Sequence, residues 1–480
     1  MTPAKRIIVV GGGIAGLAAA HRVIELARER GQTVELTLLE ARQRVGGTIA
    51  TERSDGFLIE AGPDSFLSEK PWALALTERL GISHRLARTD DRFRKTFVVH
   101  QGRLHPLPEG FQLLAPARLA PLVTSRLFSW PGKLRMAMDL FLPRGAGVTD
   151  ESLGSFVRRR LGKEALERVA QPLVAGIYTA DPEQLSLAAT LPRFLELERR
   201  ERSLILALWR QSRRAPAQAK GVSGARWSLF VTFADGMETL VGALAERLPP
   251  GAVRLGTPVG TLTRSGNRLR IAMASGETLE ADGVVLATEA HQSARIVRDL
   301  APDLARLLGE IPYASSATVS LGYRREAIPQ ALDGFGFVVP RSERRPILAC
   351  TFSSVKYPGR APDGHALLRV FLGGALDEGL LKEDDEALVA IARGQLAELL
   401  GVTGPPLITR IHRHPAAMPQ YRVGHLELVA HIEKGVAAIP GLALAGAAYR
   451  GVGIADCIHS GESAAERVFE GLGPLKEERL

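Results

Sequence analysis

Ile7-Ile8-Val9-Val10-Gly11-Gly12-Gly13-Ile14-Ala15-Gly16 is the stretch that decides the fold. Its four apolar residues form the unbroken run that a strand buried on both faces requires. The six that follow fit the spacing G-x-G-x-x-G. Residues 17–30 read as a helix stopped at Gly31, and residues 34–39 as a second strand ending at Glu40. Strand, glycine triplet, helix, strand and terminal acid in this order point to a dinucleotide site. Gly11 permits the tight turn, Gly13 lets backbone approach a pyrophosphate, and Gly16 brings helix against strand. The helix start beyond Gly12, at Ile14 and Ala15, offers unpaired N–H groups and a positive dipole to phosphates. Glu40 is placed to accept hydrogen bonds from adenosine ribose hydroxyls, and its charge would repel a 2′-phosphate.

A second signal follows at Ala41 and then Arg44-Val45-Gly46-Gly47-Thr48. A glycine pair beside an arginine brings more backbone and a cation to a long anionic cofactor. NAD and FAD both remain open at this point, although no second G-x-G-x-x-G appears for a nicotinamide.

The chain has 480 residues, 24% charged and 45% hydrophobic, an ordinary globular balance with material for one large domain or two to three interleaved ones. No uncharged apolar run reaches the ~18 residues of a spanning helix. The opening Met1-Thr2-Pro3-Ala4-Lys5-Arg6 leaves no room for a signal peptide, so a cytoplasmic protein is expected, with at most weak peripheral membrane contact. Cys350 and Cys457 are the only cysteines, which argues against a disulfide scaffold and excludes a cysteine-only metal site; no metal is expected. A net charge of +9 favours anionic partners. The basic knots Arg158-Arg159-Arg160 and Arg344-Arg345 lack interleaved aromatics, so nucleic acid is not expected.

Glu40-x-x-x-Arg44-x-Gly46-Gly47 resembles the flavin-binding signature of the amine oxidase, phytoene desaturase and porphyrinogen oxidase superfamily, in which FAD occupies the site. Gly62-Pro63-Asp64-Ser65-Phe66 is similar to a segment of bacterial porphyrinogen oxidases. Pro172-Leu173-Val174-Ala175-Gly176-Ile177-Tyr178 with Asp181 resembles their mid-chain element, and Met418-Pro419-Gln420-Tyr421 with Gly424-His425 a third. Gly446, then Gly451-Val452-Gly453-Ile454 and Asp456-Cys457-Ile458, is similar to their carboxy-terminal flavin element. The chain thus resembles the bacterial coproporphyrinogen III and protoporphyrinogen IX oxidase family, nearest its Gram-positive coproporphyrinogen-oxidising branch.

The resemblance implies three two-electron oxidations of a porphyrinogen, with FAD reduced each time and oxygen reoxidising it to give hydrogen peroxide. It also implies a downstream haem-pathway enzyme as recipient of the product. It places Val259 at the adenine, Ala287 and Thr288 close to the cofactor, and Gly453 with Gly451 against the isoalloxazine ring. The helix starting near Asp456 would then point its amino end at the flavin edge where reduction builds negative charge. Gly176 corresponds to a position where a side chain would crowd the macrocycle, and Lys70 to one that meets a substrate carboxylate. No acid or base is assigned a catalytic role. Thr179-Ala180 replaces the usual Ala-Gly before Asp181, and His414 stands where relatives often carry Trp.

An α/β fold is expected, with a Rossmann-like FAD-binding domain built from residues 1–85, 226–305 and 431–480. A mainly helical subdomain would occupy 86–225 and an α+β substrate domain 306–430. Residues 212–224 are rich in Gly, Ser, Arg and Ala and read as a mobile loop. Residues 113–143 carry Arg118, Arg126, Lys133 and Arg135 among apolar residues that include Trp130. A basic lipid-binding face is one reading; the prolines favour a buried wall of the substrate cavity, which is the expectation adopted. A flavin amine oxidase, with Tyr449 as its one candidate cage residue, and a non-catalytic flavin scaffold are the competing functions.

Overall fold

The apolar run at the start of the chain becomes the strand Lys5–Val10, whose Ile7, Ile8, Val9 and Val10 are all buried. It sits at the centre of a five-stranded parallel sheet in the order Val253–Arg254, Val34–Leu39, Lys5–Val10, Gly283–Leu286, Leu442–Leu444. Start, middle and end of the chain therefore contribute to one sheet. The computed structural model describes residues 4–118, 120–145, 149–214 and 230–471.

Helices Ile14–Glu29 and Ile454–Gly471 cover one face. They approach closely: a Cβ on Gly461 would lie 2.1 Å from the Ala15 carbonyl oxygen. The other face carries the antiparallel strands Val259–Ser265, Arg268–Met273 and Thr278–Ala281 and helices Ala290–Val297, Pro302–Gly309 and His425–Ala437. Burial on both faces explains why the parallel strands are apolar throughout.

A second sheet of seven strands runs Ile408–Pro419, Tyr313–Arg324, His365–Gly373, Ala349–Phe352, Gly336–Val338, Thr96–His100, Arg103–Pro106. One face alternates Ala317, Val319, Leu321 and Tyr323 into a core shared with helix Asp385–Leu400. That helix is capped by the Asp384 carboxylate, which accepts from the Ala387 amide at 2.8 Å. The opposite face carries Thr318, Ser320, Arg369, His412 and His414. Thr96–His100 and Arg103–Pro106 fall within the stretch read as mainly helical, yet they extend this sheet; strands this short show too little alternation to stand out in the sequence.

Between them lies a helical unit including Leu153–Leu161, Gln171–Tyr178, Pro192–Glu201 and Leu204–Arg214. Its anchor is Arg160, fully buried with Asp139. Arg160 Nε donates to Asp139 Oδ1 at 2.7 Å, and its other nitrogens reach the Pro143 and Arg202 carbonyls at 2.8 and 2.6 Å. Asp139 also accepts from Ser203 Oγ at 2.6 Å and the Ile205 amide at 3.0 Å. Such a pair holds only because nearly every donor and acceptor is met. Helix Leu204–Arg214 runs into the stretch read as a mobile loop, most of which lies outside the described residues.

Within residues 113–143, Leu114, Leu122, Leu127, Phe128 and Met136 are buried, and the departure from the expected buried wall is confined to one face. Trp130, Leu134, Met138 and Phe141 are 64%, 67%, 50% and 79% exposed and, at helical spacing, line one side of Trp130–Ala137 and the turn after it. Pro131 sits in the first helical turn, where it starts a helix rather than breaking one. No helix among the described residues is long and apolar enough to cross a membrane.

Candidate functional site

The first glycine turn is built by steric necessity. Gly11 has φ +104°, and a Cβ there would lie 2.7 Å from the Ala287 carbonyl oxygen. A Cβ on Gly16 would lie 1.8 Å from the Gly11 oxygen. Gly13 is different: its φ is −68°, and among the described residues nothing beyond its immediate chain neighbours lies within 4 Å of where its Cβ would be. The helix that follows has no side-chain cap and no acid in its first turn. Uncapped amides beside an open glycine form an anion cradle, and a diphosphate fits it.

Glu40 is buried and held from two sides. Its Oε2 accepts from the Gly12 amide at 2.6 Å and its Oε1 from the Arg42 amide at 2.8 Å. Two lone-pair sites remain for ribose hydroxyls. Gly46, at φ +102°, donates to the Gly12 oxygen at 2.7 Å, and a Cβ on Gly47 would lie 3.2 Å from Gly13 Cα. The two glycine turns are thus stacked. Arg44 braces the second: its guanidinium donates to the Gly47, Ile49 and Val45 carbonyls at 2.8, 3.0 and 3.1 Å. Ala41 and Thr48 are exposed beside it.

A Cβ on Gly62 would lie 2.0 Å from the Thr48 oxygen, so residues 62–65 continue from this turn, with Pro63 exposed. Asp64 meets the buried Lys356 ammonium at 3.0 and 3.1 Å and the Ser65 hydroxyl at 2.7 Å. Burial alone would raise the Asp64 carboxyl, but Lys356, Arg369 and Ser65 outweigh it and bring it down to about 2. Arg369 also donates to the Ala61 oxygen at 3.2 Å, and its Nε has no hydrogen-bond partner among the described residues. His414 lies opposite Ser316 in the sheet, with Nε2 3.0 Å from the same Ala61 oxygen. A carbonyl only accepts, so Nε2 carries the hydrogen. Burial first, then Arg369, pushes this imidazole down to about 4 and keeps it neutral. Isolated in sequence, Lys356 and Arg369 gave no motif to read.

The other edge elements complete the rim. The Ala287 amide donates to the Val10 oxygen at 2.8 Å, and Thr288 Oγ1 lies 2.8 Å from Ser293 Oγ. Val259 pairs with Met273 and packs on the core beneath the sheet. Gly446, at φ +118° with open space at its Cβ position, donates to Ser460 Oγ at 3.0 Å. Val452 packs on the helical unit, and Ile454 begins the last helix. The neighbour that demands glycine nearby is Asp456: Cβ atoms on Gly451 and Gly453 would lie 2.4 Å from its Cγ and 3.0 Å from its Oδ2. Lys70 holds that carboxylate, with Nζ 2.6 Å from both oxygens. Gly176 is exposed, and only Val338 lies near its Cβ position, at 4.0 Å.

Three of the family-like elements meet at Tyr421. Its hydroxyl donates to the Ala447 oxygen and accepts the Gly451 amide at 2.8 Å. Its ring stacks on His425 at 4.0 Å, and its carbonyl accepts the Ser186 amide at 2.7 Å. Gln420 Nε2 donates to the Tyr178 oxygen at 3.2 Å.

Residues 14–469 match the family described as flavin containing amine oxidoreductase. The chain belongs to that family. It is an FAD-dependent oxidoreductase. Coproporphyrinogen III oxidase of Bacillus subtilis is 37% identical, covering 96% of this chain and 97% of the relative. Protoporphyrinogen oxidase of Bos taurus is 33% identical, covering 97% and 98%. The crystal structure of a protein from Exiguobacterium sp. 255-15 superposes with TM-score 0.85 at 32% identity, covering 99% of this chain and 100% of that one. UDP-galactopyranose mutase superposes at TM-score 0.73 with 15% identity, a likeness of fold alone.

Proposed function

We propose that this flavoprotein oxidises coproporphyrinogen III to coproporphyrin III in haem biosynthesis. The observation that carries this reading is end-to-end similarity to relatives named coproporphyrinogen III oxidase. The net charge of +9 leans the same way, since this substrate carries four propionates against two in protoporphyrinogen IX. Protoporphyrinogen IX is the second reading, favoured by the bovine relative. Tyr449 is buried in the core beneath the parallel sheet, which leaves the amine-oxidase reading without its cage residue.

In this reading the amides of Gly13 to Ala15 would hold the pyrophosphate and Glu40, itself fixed by the Gly12 amide, the ribose. The stacked turn at Gly46 and Gly47, braced by Arg44, closes over them, and Val259, Ala287 and Thr288 line the adenosine side. Residues 62–65, His414, Gly446 and residues 452–454 would surround the ring, with Gly176 facing the macrocycle. FAD supplies the two-electron acceptor. Each of three turnovers removes two hydrogens from the porphyrinogen, and each returns both electrons and two protons to dioxygen as hydrogen peroxide. The protein's task is to hold the macrocycle at close range and exclude competing chemistry.

The exposed stripe Trp130, Leu134, Met138 and Phe141 is proposed as a peripheral membrane contact. Exposed Arg126 and Arg144 flank it, and the one acid in residues 113–144, Asp139, is buried. The product passes to a downstream haem-pathway enzyme.

Anaerobic mixing with coproporphyrinogen III tests the central claim. Bleaching of the flavin with porphyrin fluorescence appearing in step supports it. A flavin that stays oxidised overturns it, and faster bleaching by protoporphyrinogen IX reverses the order of substrates.

A further inference from the structure

Lys70 and Asp456 lie 386 positions apart in sequence, yet Nζ contacts both carboxylate oxygens at 2.6 Å. Asp456 stands in the first turn of helix Ile454–Gly471, with its side chain 12% exposed against 39% for Lys70. The carboxylate folds back over the preceding turn, into the space left by the missing side chains of Gly451 and Gly453. That turn follows strand Leu442–Leu444, which ends at the same sheet edge as Val10 and Leu286. Ligands of open parallel sheets bind at this carboxyl edge. Asp456 is also felt across the gap to the helical unit: burial first, and Asp456 second, raises the Tyr178 hydroxyl to about 12.

An acid in the first helical turn favours the helix by itself, so helix formation does not require the lysine. For a ligand in front of the helix the balance differs. The helix end supplies roughly half a positive charge, and a bare carboxylate would cancel it. We propose that Lys70 is a positioning residue for the redox state of the flavin: it neutralises Asp456, so that the positive end of this helix stays available to the charge FAD gains on two-electron reduction. The inference rests on the proposed seat of FAD at this edge. It also separates two roles for Lys70, because a lysine spent on Asp456 is not free for a substrate propionate.

The midpoint potential of the bound flavin, measured anaerobically on the holoenzyme against a reference dye, is the test. Asp456→Asn keeps the side-chain shape and removes the charge, so it raises the potential. Lys70→Met lowers it, Lys70→Arg keeps it near wild type, and the double variant returns towards wild type. The expected change is about tenfold in the reduced-to-oxidised ratio, ~30 mV for a two-electron couple. Unchanged potentials in both Asp456→Asn and Lys70→Met overturn the proposal, and a raised KM for coproporphyrinogen in Lys70→Met beside an unchanged potential assigns the lysine to substrate instead. If Lys70→Met loses its flavin, the sign of the Asp456→Asn shift decides. Wild-type protein that refuses FAD contradicts the seat of the cofactor, not the pair.

Discussion

The Tyr421 hydroxyl accepts the Gly451 amide at 2.8 Å and donates to the Ala447 carbonyl, so one side chain fixes both ends of the turn before the last helix. Gly451 has φ +149° and cannot hold that turn by its own backbone preference. Tyr421→Phe leaves a buried donor and acceptor unmet, at about 1–3 kcal/mol. A lower Tm with weaker FAD retention is expected; unchanged FAD affinity would separate this turn from the cofactor.

Gly11 and Gly13 make opposite predictions. Gly11→Ala forces a Cβ to 2.7 Å from the Ala287 oxygen at φ +104°, so the apoprotein itself loses stability. Gly13→Ala meets nothing among the described residues within 4 Å beyond its immediate chain neighbours and keeps an ordinary φ of −68°. It should leave the apoprotein Tm unchanged and weaken FAD binding at least tenfold. Calorimetry of both apoproteins, followed by FAD titration, checks the contrast.

What was legible in the sequence was local. The glycine triplet, the second glycine pair and the apolar strands impose backbone demands that neighbouring residues display directly. Pairings between distant segments left no such trace: Asp64 with Lys356, Ala61 with His414 and Arg369, and Lys70 with Asp456. Lys70 stands in the sequence without its partner, because Asp456 lies 386 positions away. The stripe from Trp130 to Phe141 was misjudged for a different reason. Proline was weighed as a helix breaker, whereas Pro131 occupies the first turn, and burial on that helix falls to Lys133 and Met136.

His414 and Asp64 set an acid profile in two windows. The His414 imidazole is brought from 6.5 to about 4 by burial and Arg369. Its unfolded form binds a proton first, so the stability present above pH 6.5 falls between 6.5 and 4, by about 3 kcal/mol. Asp64 is brought from 3.8 to about 2, so its contribution is full above pH 4 and fades as pH drops towards 2, by about 2 kcal/mol. Burial also lowers His21, His100, His412 and His425, so urea unfolding of His414→Gln at several pH values should make the upper window shallower without abolishing it, and leave the lower. A slope unchanged above pH 4 would show that His414 is not among its sources.

Arg160 and Asp139 form a fully buried pair, and removing Asp139 leaves Arg160, among the described residues, only its longer ion contact to Glu198 Oε1 at 3.4 Å. Asp139→Ala is expected to cost about 3–5 kcal/mol. Replacing both with Met and Leu should cost less, because no charge is left without its partner. Denaturant midpoints of the single and double variants test the sign of that difference.

The stripe of Trp130, Leu134, Met138 and Phe141 separates binding from stability, because its side chains are half or more exposed. Leu134→Ser and Phe141→Ser should each change the unfolding free energy little, within about ±0.5 kcal/mol. If the stripe docks on lipid, both variants lose sedimentation with anionic vesicles. Arg126→Gln with Arg144→Gln should weaken binding to anionic vesicles while leaving the small affinity for neutral ones unchanged, since the apolar anchor remains and only head-group attraction is lost. Added salt should reproduce the arginine effect and not the loss in Phe141→Ser. Equal sedimentation of wild type and Phe141→Ser would remove lipid as the partner of this face.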